Sequence, residues 1–267
     1  MCEYNEGLLI ENSMRPKARL IARLDVKNNY LVKGIHLEGL RKMGDPNVFA
    51  TDYYNQGIDE ILYMDIVASL YNRNSLGEII ERATRDVFVP IAVGGGLRCV
   101  EDVREALRLG ADKVAINTAA IKDENIISEV AEAFGSQCMV MSIEAKRLPG
   151  GSDRWEAYYD NGREHSGKDA VEWARRGVSL GAGEILLTSV DREGLERGMD
   201  FDLIDAVCSV VDVPVIVSGG CGGAEDIARS ALSGASAVAV ASILHYKKAD
   251  VRSLKERTFS EGVNIRL

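Results

Sequence analysis

Two acids at matching points of the chain, Asp25 and Glu144, and two glycine-rich runs, Gly94-Gly95-Gly96 and Ser218-Gly219-Gly220, have the clearest chemical potential. Glycines let the backbone approach a phosphate closely, and N–H groups opening a following helix supply hydrogen bonds to it. A lone loop of this kind reads more simply as a tight strand-to-helix turn. Here there are two, and small polar residues follow each one βα unit later, as Asn117-Thr118 and Ala241-Ser242. A pair of phosphate sites implies a small ligand with a phosphate at each end. Carboxyl groups between two such anchors can act as general acid and general base on the ligand's middle. The plainer alternative is that they bridge to Lys27, Lys33 or Lys146. Asp65 and Asp191 also follow apolar runs, and strand-end structure explains them as well as direct chemistry does.

The elements that must position these groups are short apolar runs alternating with amphipathic stretches. Strands are expected at Leu20–Leu24, Glu60–Met64, Val89–Val93, Lys113–Ile116, Cys138–Ile143, Glu184–Thr188, Val213–Val217 and Ala237–Ala241. Eight strands separated by helices predict one (β/α)8 TIM barrel, which a chain of 267 residues accommodates. The connections from Asp25 to about Pro46 and from Glu144 to about Gly167 are long, and long loops after barrel strands carry function.

The two halves share landmarks in one register. Asp59-Glu60-Ile61-Leu62 returns as Gly183-Glu184-Ile185-Leu186, a shift of 124 residues. Val89-Pro90-Ile91 and its glycine loop return at the same shift as Val213-Pro214-Val215 and Ser218-Gly219-Gly220. Asp25-Val26-Lys27 is echoed by Glu144-Ala145-Lys146 at a shift of 119. Generic βα periodicity does not produce a shared offset, so an internal half-barrel duplication is expected, with halves at about 18–136 and 137–260. Residues 1–13 have no counterpart and read as a mobile tail, with Met14 a second candidate start.

Composition narrows the function classes. A net charge of -9 argues against nucleic acid as a partner. No apolar run approaches a membrane span, and no signal-peptide core is present. Cys2, Cys99, Cys138, Cys208 and Cys221 form no C-x-x-C pair and have no histidine at zinc-ligand spacing. All but Cys221 lie in apolar or small-residue surroundings that suit buried thiols, and Cys221 reads as loop packing. These features predict a cytoplasmic protein without metal or cofactor. Arg19, Glu60, Lys113 and Glu184 fall at strand starts, where an ion-pair plug of the barrel bottom is the plain expectation.

Residues 19–27, 31–34, 44–46, 59–61, 93–98, 110–120 and 181–192 together resemble the cyclase subunits of imidazole glycerol phosphate synthase, the HisF family, from about Met14 to Leu267. That resemblance implies a two-phosphate substrate, a ribulosyl-formimino aminoimidazole carboxamide ribotide. Ammonia would arrive from a HisH-type glutaminase subunit, in a heterodimer formed at the barrel bottom. Asp25 matches the first catalytic aspartate. Gly96, Asn117 and Thr118 match one phosphate site, and Gly194, Gly220, Ala241 and Ser242 the other. Lys33 and Thr188 match further mouth residues. Arg19, Glu60, Lys113 and Glu184 match the family's ammonia gate, and Asp112 its glutaminase interface.

Three positions depart from the pattern. Glu144 stands where the family has its second catalytic aspartate, and Glu193 likewise replaces an aspartate beside the second phosphate site. Arg23 replaces a small residue two positions before Asp25. Strand alternation turns it inward, where it needs a carboxylate or phosphate partner, either Glu144 or a more acidic ligand. The histidine-biosynthesis reaction is the leading expectation. The alternatives are a paralogue delivering ammonia to a sugar acceptor in surface-glycan synthesis, a non-catalytic glutaminase activator, and, last, the isomerase with the same duplicated barrel.

Overall fold

The computed structural model describes residues 17–68, 76–150 and 153–267. The expected N-terminal tail, Met14 and Cys2 lie outside them. The first half runs β1 (Arg19–Lys27), β2 (Tyr30–Ile35), β3 (Glu38–Gly44), α1 (Pro46–Asn55), β4 (Glu60–Asp65), α2 (Gly77–Asp86), β5 (Ile91–Gly94), α3 (Val100–Arg108), β6 (Lys113–Ile116), α4 (Thr118–Lys122) and α5 (Asn125–Phe134). The second runs β7 (Met139–Arg147), β8 (Trp155–Tyr159), β9 (Glu164–Asp169), α6 (Ala170–Ser179), β10 (Glu184–Ser189), α7 (Phe201–Cys208), β11 (Val215–Ser218), α8 (Ala224–Leu232), β12 (Ala237–Val240), α9 (Ser242–His245) and α10 (Val251–Ser260). Each half thus opens with a strand that continues into an antiparallel hairpin.

Strands β1, β4, β5, β6, β7, β10, β11 and β12 pair in parallel in that order, and β12 pairs back to β1. The ring is a closed (β/α)8 barrel. In it β1 and β7 stand opposite, four strands apart in either direction. Strands β5 and β11 begin two residues later than expected, at Ile91 and Val215, each directly after a proline that has no N–H for the ladder.

Side chains alternate between two environments, as a strand requires. Leu20, Ala22 and Leu24 of β1 pack outward with Ile61 and Tyr63 of β4 in the cluster that meets the helices. Ile21, Leu62, Ala92, Ala115, Val140, Leu186, Ile216 and Ala237 form a separate apolar cluster inside the ring. The helices complete the cover by turning one face inward, as α2 does with Ile79, Ile80 and Ala83. Aspartates cap several of them: Asp45, Asp169, Asp200 and Asp250 each accept from a first-turn N–H.

The two long connections after β1 and β7 are not open loops. They fold as the hairpins β2–β3 and β8–β9. Both tips carry consecutive left-handed residues, His36 and Leu37 in one and Asp160, Asn161 and Gly162 in the other. The tips meet over the mouth, where the Asn161 side chain donates to the Leu37 carbonyl at 3.2 Å.

Candidate active site

Three interior layers stack along the barrel. At the end where strands begin, Arg19, Glu60, Lys113 and Glu184 form a ring of alternating charge. Arg19 bonds Glu60 at 2.6 Å and also Glu184, while Lys113 lies 3.2 Å from Glu60 and 2.7 Å from Glu184. Each cation therefore bridges both acids. Burial raises the Glu60 carboxyl, and the two cations oppose that rise. Above the ring lies the apolar layer, and above that the mouth.

At the mouth, Asp25 and Glu144 come from the opposite strands β1 and β7, and both are buried. Their surroundings differ. Asp25 accepts from Arg23 Nε at 2.8 Å, and Lys33 Nζ lies 3.7 Å from its other oxygen. Burial opposes its charge, but these cations prevail and hold its carboxyl below the usual range. Glu144 accepts from the Gly162 N–H at 2.7 Å. Burial dominates there and pushes its carboxyl up to about 7, against the Gly162 bond and Arg23.

Arg23 is 2% exposed and crosses the barrel interior. Its Nη1 donates to Thr188 Oγ1 at 3.0 Å and Ser218 Oγ at 3.3 Å. The carboxylate it bonds is Asp25, not Glu144. Residues two apart on one strand share a side, so Asp25 is the acid within reach of Nε, while Glu144 is turned to the β8–β9 tip. Lys33, from β2, bonds Glu193 as well as approaching Asp25. His245 Nε2 lies 3.0 Å from the Arg23 carbonyl and Nδ1 lies 2.8 Å from Tyr53 Oη. Burial pushes this imidazole down to about 4, so it is neutral at ordinary pH.

The two glycine loops line separate cavities. Gly95, Gly96, Asn117, Thr118 and Glu144 surround one of about 360 Å³. Gly194, Gly219, Gly220, Ala241 and Ser242 line the other, which has a volume of about 20 Å³ and Glu193 on its wall. Asp25 lines neither cavity. Gly220 adopts φ 93°, and a Cβ there would stand 2.3 Å from the Gly198 carbonyl oxygen, so only glycine fits this turn.

The remaining candidates have local partners. Asp65 accepts from Val67 N, Asp191 from Arg147 N, and the exposed Asp112 from Ile91 N. Cys138 is buried as expected and Cys221 packs within its loop, whereas Cys208 is only half-buried and Cys99 is exposed because it precedes the first turn of α3. Sequence reasoning did not single out Asn161, Gly162 or Ser218 as partners of mouth residues. The Asn161-Gly162 dipeptide is a hairpin-turn signal, and reading it so would have brought the β8–β9 tip to the site.

The fold, with a charged group at each end of the ring, defines a (β/α)8 barrel, a class whose enzymes place their chemistry where the strands end. The family described as "Histidine biosynthesis protein" matches residues 19–250. A relative from Legionella pneumophila, named imidazole glycerol phosphate synthase subunit HisF, is 59% identical over 208 residues, covering 78% of this chain and 97% of its own. The subunit of that name from Mycobacteroides abscessus is 42% identical over 95% of this chain and 100% of its own, and one from Lactococcus lactis 45% over 93% and 96%. The chain belongs to the HisF family.

Proposed function

We propose that this protein is the cyclase subunit of imidazole glycerol phosphate synthase in histidine biosynthesis. It uses ammonia to convert the ribulosyl-formimino aminoimidazole carboxamide ribotide into imidazole glycerol phosphate and aminoimidazole carboxamide ribotide. One arrangement carries the reading. Two buried carboxyl groups, Asp25 and Glu144, stand on opposite strands of a mouth flanked by two glycine-loop cavities. A substrate anchored by a phosphate at each glycine loop would hold its reacting centre between the two acids, where one acid and one base can act together.

A HisH-type glutaminase is the proposed partner, in a heterodimer at the opposite end of the barrel. Phe88 (73% exposed), Leu232, Phe259 and Leu267 expose apolar surface at that end, and Asp112 lies there beside the ring. Ammonia released there would pass the Arg19–Glu60–Lys113–Glu184 ring and cross the apolar layer to the mouth. A cytoplasmic setting fits the unpaired thiols Cys99, Cys138, Cys208 and Cys221. Delivery of ammonia to a different acceptor has no support in the relatives' names.

Purified protein with an ammonium salt and the ribotide tests the reaction, followed by loss of substrate absorbance. Steady turnover is the expected result. A folded protein that binds the glutaminase yet leaves the ribotide unchanged would refute it.

A further inference from the structure

Arg23 is a buried charge that the phosphate cavities and the bottom ring leave unexplained. Its guanidinium is fixed at three points: Nε on Asp25 at 2.8 Å, and Nη1 on hydroxyls of β10 and β11 at 3.0 and 3.3 Å. The two hydroxyls orient it without neutralising it. Its charge must be balanced by a carboxylate, because an uncompensated buried cation is costly.

Three acids face it, and they are not equivalent. Asp25 takes its hydrogen bond, Glu193 is engaged by Lys33, and Glu144 takes the Gly162 N–H. The groups acting on Asp25 are Arg23 on its own strand, Lys33 from β2 and His245 from α9, with Glu193 bonded to Lys33 beside them. Those acting on Glu144 are Arg23 and Asp25 from β1, Asp160 from the β8–β9 tip and the Gly162 N–H. One carboxyl therefore sits between two cations. The other takes its hydrogen bond from a neutral donor, has two acids near it, and feels Arg23 without a hydrogen bond from it.

Resting on the acid–base reading of the mouth, we infer that Arg23 is a positioning residue that divides labour in the carboxyl pair. It holds Asp25 as the anion and leaves Glu144 as the group that carries the proton. In the reaction Asp25 takes one proton and Glu144 gives one, and a transfer back between them restores the resting pair. The raised Glu144 carboxyl and the lowered Asp25 carboxyl agree with this geometry. The extra methylene of Glu144 serves it as well, carrying that carboxyl to the hairpin tip.

The test combines carboxyl-selective 13C NMR titration with the pH profile of kcat for wild type, Arg23→Met and Arg23→Lys. In wild type, Glu144 should titrate near neutrality and Asp25 well below the ordinary range. The kcat profile should be flat on the acid side and fall about tenfold per pH unit above the Glu144 midpoint. Arg23→Met should move the Asp25 midpoint up and give the profile an acid limb of about tenfold per pH unit that wild type lacks. Arg23→Lys, which keeps the charge, should restore the wild-type profile. Equal loss in both variants with an unchanged profile would mean that Arg23 only fills space, and would overturn the inference. So would a wild type in which Glu144 titrates below Asp25, a measurement that needs neither variant to fold. Because the NMR titration needs no substrate, it decides the inference even if the ribotide is not turned over.

Discussion

Replacing Glu144 by Gln should stabilise the protein in alkaline solution while abolishing turnover. Burial raises the Glu144 carboxyl from 4.5 to about 7. Between those values the folded chain holds a proton that the unfolded chain has released. Stability therefore falls as pH rises through this window and is lowest above pH 7. At about 1.4 kcal/mol for each pH unit, the full cost is on the order of 3 kcal/mol. Gln keeps an oxygen for the Gly162 N–H and has no charge to desolvate. Equilibrium urea unfolding of both proteins at about pH 4 and pH 8 measures the effect. The stability difference should move in favour of the variant by roughly 3 kcal/mol between the two pH values. Any fixed cost of the amide appears at both and cancels. If the two proteins keep the same difference at pH 4 and pH 8, Glu144 does not carry a proton in the neutral folded state, and its role as the acid fails with it.

Three further variants test the same geometry. Gly220→Ala sets a Cβ 2.3 Å from the Gly198 carbonyl oxygen and 2.8 Å from Arg192 Cβ at φ 93°; ribotide titrations should show KM rising by more than kcat falls as the loop is displaced. Lys113→Met leaves Glu60 and Glu184 with Arg19 alone; urea unfolding should show a loss of about 3–5 kcal/mol. In the same variant, glutamine-driven turnover should fall relative to ammonium-driven turnover, and an unchanged ratio would count against a gating role for the ring. Glu144→Asp shortens the side chain by one methylene and gives up the Gly162 bond; kcat should drop by about tenfold to a hundredfold, and a rise would show that the longer acid is misplaced here.

The sequence by itself determined much of this barrel. Short apolar runs alternating with amphipathic stretches predicted eight strands, and strand alternation turned Arg23 to the same inner side of β1 as Asp25. The offset of 124 residues paired the two glycine loops. These are local facts, set by backbone sterics and by which side of a pleat a residue occupies.

Which side chains meet was decided only by closure of the ring. Arg23 reaches Thr188 and Ser218, 165 and 195 residues away, because β10 and β11 complete the far wall. Lys33 finds Glu193 across 160 residues because the β2–β3 hairpin folds over the mouth. Glu144 takes its N–H from Gly162 through a hairpin that looked like an open loop in the sequence. Alternation says that a charge points inward but not which of several inward charges it will touch. That depends on register and tilt accumulated around eight strands, and here it gave Arg23 to Asp25 rather than to Glu144.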